Sequence, residues 1–162
     1  MTIRTIRVDY TDKKQLSDLV SMLIVYSADA MGGGQALSCN LAQKAVRELA
    51  KRAYAFSFLC YDDEQAVGFA NCFESMLTFT AKPVINIHDL AVIQEYRGQR
   101  LSYNLLQAVE EFGLSKQAYK VTLEVLEGNI PARIAYEKFG FAGYELDPQF
   151  GKALFWQKII DL

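Results

Sequence analysis

Residues 84–106 read VINIHDLAVIQEYRGQRLSYNLL, an apolar run that passes through glycine and basic residues into a segment of helical spacing. The run from Pro83 to Ile93 predicts a strand covered on both faces along much of its length. Beyond it Leu101, Leu105, Val109 and Phe112 recur on one face of an amphipathic helix. A strand that hands over to a helix in this way gathers unpaired backbone N–H groups and the positive end of the helix dipole at one point. That point is a seat for phosphate. Arg97 and Arg100 supply counter-charge, while Gly98, Gln99, Leu101 and Ser102 complete the loop. Glycine and arginine also occupy exposed loops that bind nothing, so the local pattern leaves both readings open.

The second decisive stretch, residues 119–141, reads YKVTLEVLEGNIPARIAYEKFGF. It predicts a strand over 119–127 and a short helix over 130–140, with Pro131 in the first turn and Gly140 at the C-cap. Strand, helix, strand and helix in succession favour parallel pairing of the two strands through a right-handed crossover.

Towards the N-terminus, TIRTIRVDY alternates as a strand, and Leu16, Leu19, Val20 and Leu23 share a helix face capped by Thr11 or Asp12. The glycines of MGGG, residues 31–34, interrupt the chain before a second helix marked by Leu41, Ala45, Val46 and Leu49. YAFSFLCY, the turn DDEQ and AVGFANCFE predict an antiparallel hairpin, with Gly68 at a bulge or a close approach. At the other end, FAGYEL and ALFWQKII predict two closing strands. The sum is an α/β fold in layers around one mixed sheet.

At 162 residues, 51% hydrophobic and 22% charged, the chain suits one domain, residues 1–162, with a sizeable core. No apolar run is long enough to cross a bilayer, and the N-terminus lacks the form of a secretory signal, so a soluble cytoplasmic protein is expected. A net charge of -2 with mixed signs gives nucleic-acid binding no support. Cys39, Cys60 and Cys72 are odd in number and lack ligand spacing, which argues against a disulfide framework or a metal site. The phosphate-loop pattern G-x-x-x-x-G-K-S/T is absent, and no G-x-G-x-x-G follows the first strand, so nucleotide hydrolysis and hydride transfer lose their usual signatures.

Taken together the segments resemble the GNAT superfamily of N-acetyltransferases. Its pattern R/Q-x-x-G-x-G/A precedes a long helix. Arg97 falls on the first position, Arg100 replaces the first glycine and Ser102 the second small residue. Asn129, Ala132, Tyr136, Gly140 and Phe141 follow the superfamily's N-x-x-A-x-x-x-Y-x-x-x-GF segment. The resemblance covers essentially the whole chain. It implies a mixed, mostly antiparallel sheet whose central parallel strand pair is splayed into a V-shaped cleft, with helices on both faces.

The resemblance further implies acetyl-CoA as cofactor. Backbone groups of Leu90, Ala91 and Val92 would pair with its pantetheine arm, residues 97–102 would hold its pyrophosphate, Asn129 would contact the arm, and Tyr136 would lie near the sulfur. It also implies direct transfer of acetyl to an amine. A primary ammonium has a pKa near about 10, so a proton must be removed before attack. His88, the single histidine, stands where polyamine-type members of the superfamily carry a glutamate. It serves either as a base, directly or through water, or as a satisfied residue of the sheet.

Asp89 should point to the opposite face of a regular strand. Glu124, sharing a face with Thr122 and Leu126, is a reserve base or an acceptor-binding carboxylate. Tyr136 suits a general acid for the departing thiolate. The acceptor side implied by the resemblance is the first two helices and their junction, which nominates Tyr26, Asp29, Met31, Gly32, Gly33 and Gly34, with Glu74 as a second acid. Phe69, Phe73 and Phe79 are either pocket walls or core. A small-molecule amine is the first expectation for the acceptor, and a protein or peptide amine the alternative. A non-catalytic acyl-CoA sensor is the reading from a different class. Phe155 and Trp156 suit a homodimer contact or core packing equally.

Overall fold

The computed structural model describes residues 2–160. Five strands form one sheet in the order β1 (Ile3–Arg7), β2 (Ala55–Asp62), β3 (Gln65–Leu77), β4 (Lys82–Val92) and β5 (Lys120–Leu123). The first three pairings are antiparallel and the last, β4 with β5, is parallel. This is the mixed α/β architecture expected from the sequence.

Two helices precede the central hairpin, α1 (Lys13–Ala28) and α2 (Cys39–Ala50). Asp12 caps α1 by accepting from the N–H groups of Lys14 and Gln15, and Ser38 caps α2. Leu19, Met22 and Leu23 of α1 and Val46 and Leu49 of α2 pack with Leu59, Tyr61 and Phe69 on one face of the sheet. Of the residues that mark α2 in the sequence, Leu41 is half exposed, while Ala42 beside it is buried. The opposite face carries α3 (Leu101–Ser115), whose Leu101, Leu105, Leu106, Val109 and Phe112 pack with Phe58, Val67, Ile85 and Ile87. The sheet therefore separates two apolar cores. A further helix, α4 (Ile130–Phe139), follows β5 and has no buried residue.

Two irregularities shape the sheet. The β2–β3 register shifts beside Gly68, where an added Cβ would come within 3.1 Å of the Ala91 carbonyl, so the expected close approach is present. The β3–β4 register pairs Asn71 with Asp89 and Cys72 with Ile87, which leaves His88 without a partner on β3.

The C-terminal strands predicted from FAGYEL and ALFWQKII do not join the sheet. Glu145 of the first forms one bridge, to Lys152 just before the second, and ALFWQKII enters no ladder among the described residues. The parallel pair accordingly lies at the end of the sheet, with β5 as the edge. The predicted strand over 119–127 is also shorter than expected, because the chain leaves the sheet after Leu123.

Candidate active site

β4 and β5 are paired from Val84 with Lys120 to Ile87 with Leu123, and there the pairing stops. β4 continues five residues further, to Val92, so on its β5 side the backbone from His88 to Val92 has no strand neighbour. Parallel strands whose registry ends in this way diverge and leave a wedge between them. The wedge opens into a cleft of about 590 Å³, a volume ordinary for a small-molecule site. Leu90, Ala91 and Val92 line one wall, and Asn129, Ala132 and Tyr136 line the other. His88 and Glu124 stand where the two walls meet, and Tyr26, Asp29 and Met31 come from the α1 side.

The loop after β4 reaches α3 through two left-handed residues, Gly98 at φ 78° and Arg100 at φ 64°. Among the described residues, the backbone N–H groups of 98–103 donate to no protein acceptor, apart from the helical bonds that begin with Asn104 to the Arg100 carbonyl. Unpaired donors at a helix start, flanked by Arg97 and Arg100, fit a diphosphate in charge and in hydrogen bonding. Arg97, Leu101 and Ser102 face the cleft, whereas Gly98, Gln99 and Arg100 stand outside its wall. The Arg97 guanidinium is held at both ends. Its Nε donates to the Val92 carbonyl at 3.0 Å, and a terminal nitrogen donates to Asp29 at 2.6 Å. This contact holds the Asp29 carboxyl below its usual range, helped by the Met31 N–H.

Tyr136 comes from α4, which starts at the Asn129 cap and ends at Gly140 in the left-handed conformation. The N–H groups of Gly140 and Phe141 both return to the Tyr136 carbonyl, and the Phe141 ring lies 5.9 Å from the tyrosine ring, so the side chain is fixed in direction. Burial pushes the Tyr136 hydroxyl up to about 12, which keeps it a proton donor. Asn129 accepts from the Ala132 N–H through Oδ1, so its Nδ2 is the end available to the cleft.

His88 is exposed to the cleft and meets Phe73 edge-on, with ring centroids 5.4 Å apart. Phe73 thus packs at the site, Phe69 is core, and Phe79 is almost fully exposed. The unpartnered position of His88 breaks the simple alternation assumed for Asp89. A polar chain, missed in the sequence reading, holds Asp89. Tyr10 meets the Ser57 hydroxyl at 2.8 Å, Ser57 donates to Asn71 at 2.6 Å, and Asn71 donates to Asp89 at 2.9 Å. Ser57 and Asn71 are buried, and two polar residues inside apolar strands were its one visible signal. Asp89 and Asp29 also lie close enough to Tyr26 to raise its hydroxyl pKa beyond the effect of burial.

Three sequence expectations are corrected here. Glu74 does not reach the cleft; its carboxylate meets Lys116 at 3.4 Å, at the end of α3 on the far side of the sheet from α1. Glu124 lies one residue beyond β5 and is exposed at the cleft, so it does not belong to a strand face with Thr122 and Leu126. Gly32, Gly33 and Gly34 do not line the cleft but shape the turn that presents Asp29 and Met31. An added Cβ at Gly32 would collide with the Tyr26 carbonyl, and Gly33 and Gly34 have positive φ.

The sequence matches the acetyltransferase (GNAT) family over residues 32–141. It is 30% identical over 116 residues to N-alpha-acetyltransferase 30 of Schizosaccharomyces pombe, a span of 66% of this chain and 77% of that protein. Among solved structures, one titled a probable acetyltransferase superposes with a TM-score of 0.81 at 21% identity, covering 98% of this chain and 99% of that one. The aminoglycoside N-acetyltransferase AAC(6')-Iy in complex with CoA superposes with a TM-score of 0.74 at 16% identity, covering 97% and 95%. The splayed strand pair, the helix-start loop and these matches agree, and the chain belongs to the GNAT family of acetyltransferases.

Proposed function

We propose that this protein moves an acetyl group from acetyl-CoA to the primary amine of a small molecule by direct attack. The observation that carries the reading is the parting of β4 and β5 after Ile87 and Leu123, with a fixed tyrosine opposite the free strand edge. Leu90–Val92 offer backbone groups to the cofactor arm, Asn129 offers Nδ2, and residues 97–102 offer N–H groups to the diphosphate. When bound, acetyl-CoA supplies an activated thioester carbonyl and a good leaving group. His88, through water or directly, takes the ammonium proton, with Glu124 in reserve. Tyr136 Oη keeps its proton throughout the working pH range and gives a hydrogen bond to the sulfur as negative charge develops there. Asp29, Tyr26 and Met31 bound the acceptor end.

The Asp29–Arg97 pair ties the acceptor loop to the cofactor loop at the rim, which favours a compact amine over an extended peptide. A protein or peptide α-amine is the second reading, favoured by the N-alpha-acetyltransferase relative. Thiol release from acetyl-CoA, followed across polyamines, amino acids, aminoglycosides and peptides, separates the two. Transfer to peptides alone would replace the first reading with the second, and CoA retention without transfer to any amine would indicate a sensor. With the accepted amine, Tyr136→Phe is expected to lower kcat roughly 10- to 100-fold while the acetyl-CoA Kd stays within about threefold. Loss in Kd alone would remove the acid role.

A further inference from the structure

β3 and β4 pair without interruption from Leu77 with Lys82 to Cys72 with Ile87, and again from Asn71 with Asp89 to Gly68 with Val92. Between the two ladders β4 carries one residue more than β3, and that residue is His88. Residues facing each other across an antiparallel pair point to the same side of a sheet. Asn71 lies between Phe69 and Phe73, both packed on the α1 side, so Asp89 points to that side too and comes close to Tyr26. His88 meets Phe73 there as well. The bulge thus turns two consecutive polar side chains to one face. Pairing of β4 with β5 ends at Ile87, the residue just before it. Since a bulge bends the strand that carries it, the departure from β5 begins where the extra residue sits.

The side chains show what selects this register. Had β4 continued in its first register, Asp89 would face Ala70, which is fully buried in the apolar core under α3. A carboxylate among apolar side chains is costly, and Asn71 would lose Asp89 as the acceptor of its amide. In the observed register both are satisfied. Asn71 Oδ1 accepts from the Ser57 hydroxyl at 2.6 Å, its Nδ2 donates to Asp89 at 2.9 Å, and Ser57 meets the Tyr10 hydroxyl at 2.8 Å. Ser57 and Asn71 are 0% and 2% exposed, so bulk water does not substitute for these bonds.

We propose that the Asn71–Asp89 bond sets the bulge, which makes both of them positioning residues: their pairing turns His88 towards the acceptor and parts β4 from β5. The part given to His88 rests on the function proposed above, whereas the placement of its ring does not.

His88 is the single histidine, so its imidazole gives one pair of ring-proton signals in NMR spectra of the full chain, displaced from free-histidine positions by the Phe73 ring. Asp89→Leu suits the regular register, because leucine fits opposite Ala70 and Asn71 is left without its acceptor. It is expected to return the signals towards free-histidine positions and to raise the coenzyme A Kd, by calorimetry, at least about tenfold. Exchanging the two residues gives a rescue. Asn71→Asp alone, at pH about 8, sets two carboxylates against each other and is expected to act in the same way. Adding Asp89→Asn restores one donor facing one carboxylate, and should bring back the parent signals with a Kd within about threefold. Should Asp89→Leu fail to fold, the exchange decides, with recovery of folding counted as rescue. Unmoved signals in folded Asp89→Leu or Asn71→Asp protein would overturn the proposal, as would a double exchange that rescues nothing. Moved signals with an unchanged Kd would overturn it too, since the bulge would then not govern the splay. The imidazole is read without ligand, so a parent that fails to hold coenzyme A would count against the proposed function and leave the bulge to be decided by these signals.

Discussion

Arg100 sits at φ 64° as the N-cap residue of α3, with no side-chain cap bond. The left-handed region costs an ordinary side chain roughly 1–2 kcal/mol, and glycine occupies it without that cost. The superfamily pattern has glycine at this position, and here the turn is kept despite the side chain. Arg100→Gly is therefore expected to raise stability by about 1 kcal/mol, or about 2–4 °C in thermal unfolding of a domain this size. Arg100→Ala keeps the Cβ and should bring no such gain.

Tyr136 makes the pH prediction at the same scale. Its folded value, about 12, lies above the ordinary tyrosine value of about 10. The neutral phenol is thus the favoured form in the fold. The stability that accompanies it is fully present below pH about 10 and is lost as pH rises through about 12. The kcat profile should show no alkaline decline due to Tyr136 up to pH 10, and a decline that Tyr136→Phe abolishes would contradict this.

At the scale of elements, the turn after α1 depends on Gly32. A methyl group there meets the Tyr26 carbonyl, so Gly32→Ala must displace the turn that carries Asp29 and Met31. On the proposed roles, steady-state kinetics should show the acceptor KM rising, and calorimetry a smaller loss of acetyl-CoA affinity, set by how far the Asp29–Arg97 pair is loosened. The importance of MGGG was visible in the sequence as backbone freedom, but its partner was not. Asp29 and Arg97 are 68 residues apart, and only the tertiary fold reveals that they meet.

The helices, the hairpin and the strand-to-helix loop were legible because periodicity and caps are local. The end of β5 was not. LEVLE continues an apolar alternation, and it leaves the sheet because β4 and β5 diverge, a property of the pair. The register shift that frees His88 likewise belongs to two strands at once. The C-terminal segments have strand composition, and composition does not say which edge a strand will find.

At the scale of the molecule, a ligand that binds the folded chain alone stabilises it by mass action. Coenzyme A at a hundred times its Kd should add about 2.7 kcal/mol. Scanning calorimetry is expected to show this as a rise of roughly 5–10 °C, and no shift at that saturation would contradict a preformed cofactor site. No helix among the described residues is long and apolar enough to cross a membrane.

The cleft takes Tyr26, Asp29, Ala30 and Met31 from the α1 side, and every other lining residue from positions 87–136. Behind them the packing is shared rather than separate, since Ala91 of β4 packs with the α1-side core and Ile93 touches both cores. On the proposed roles, changes between residues 30 and 38 would alter the acceptor end first, and would reach the donor end through the Asp29–Arg97 pair. A cavity assembled from two distant stretches of chain lets one of them be rewritten with the other left in place.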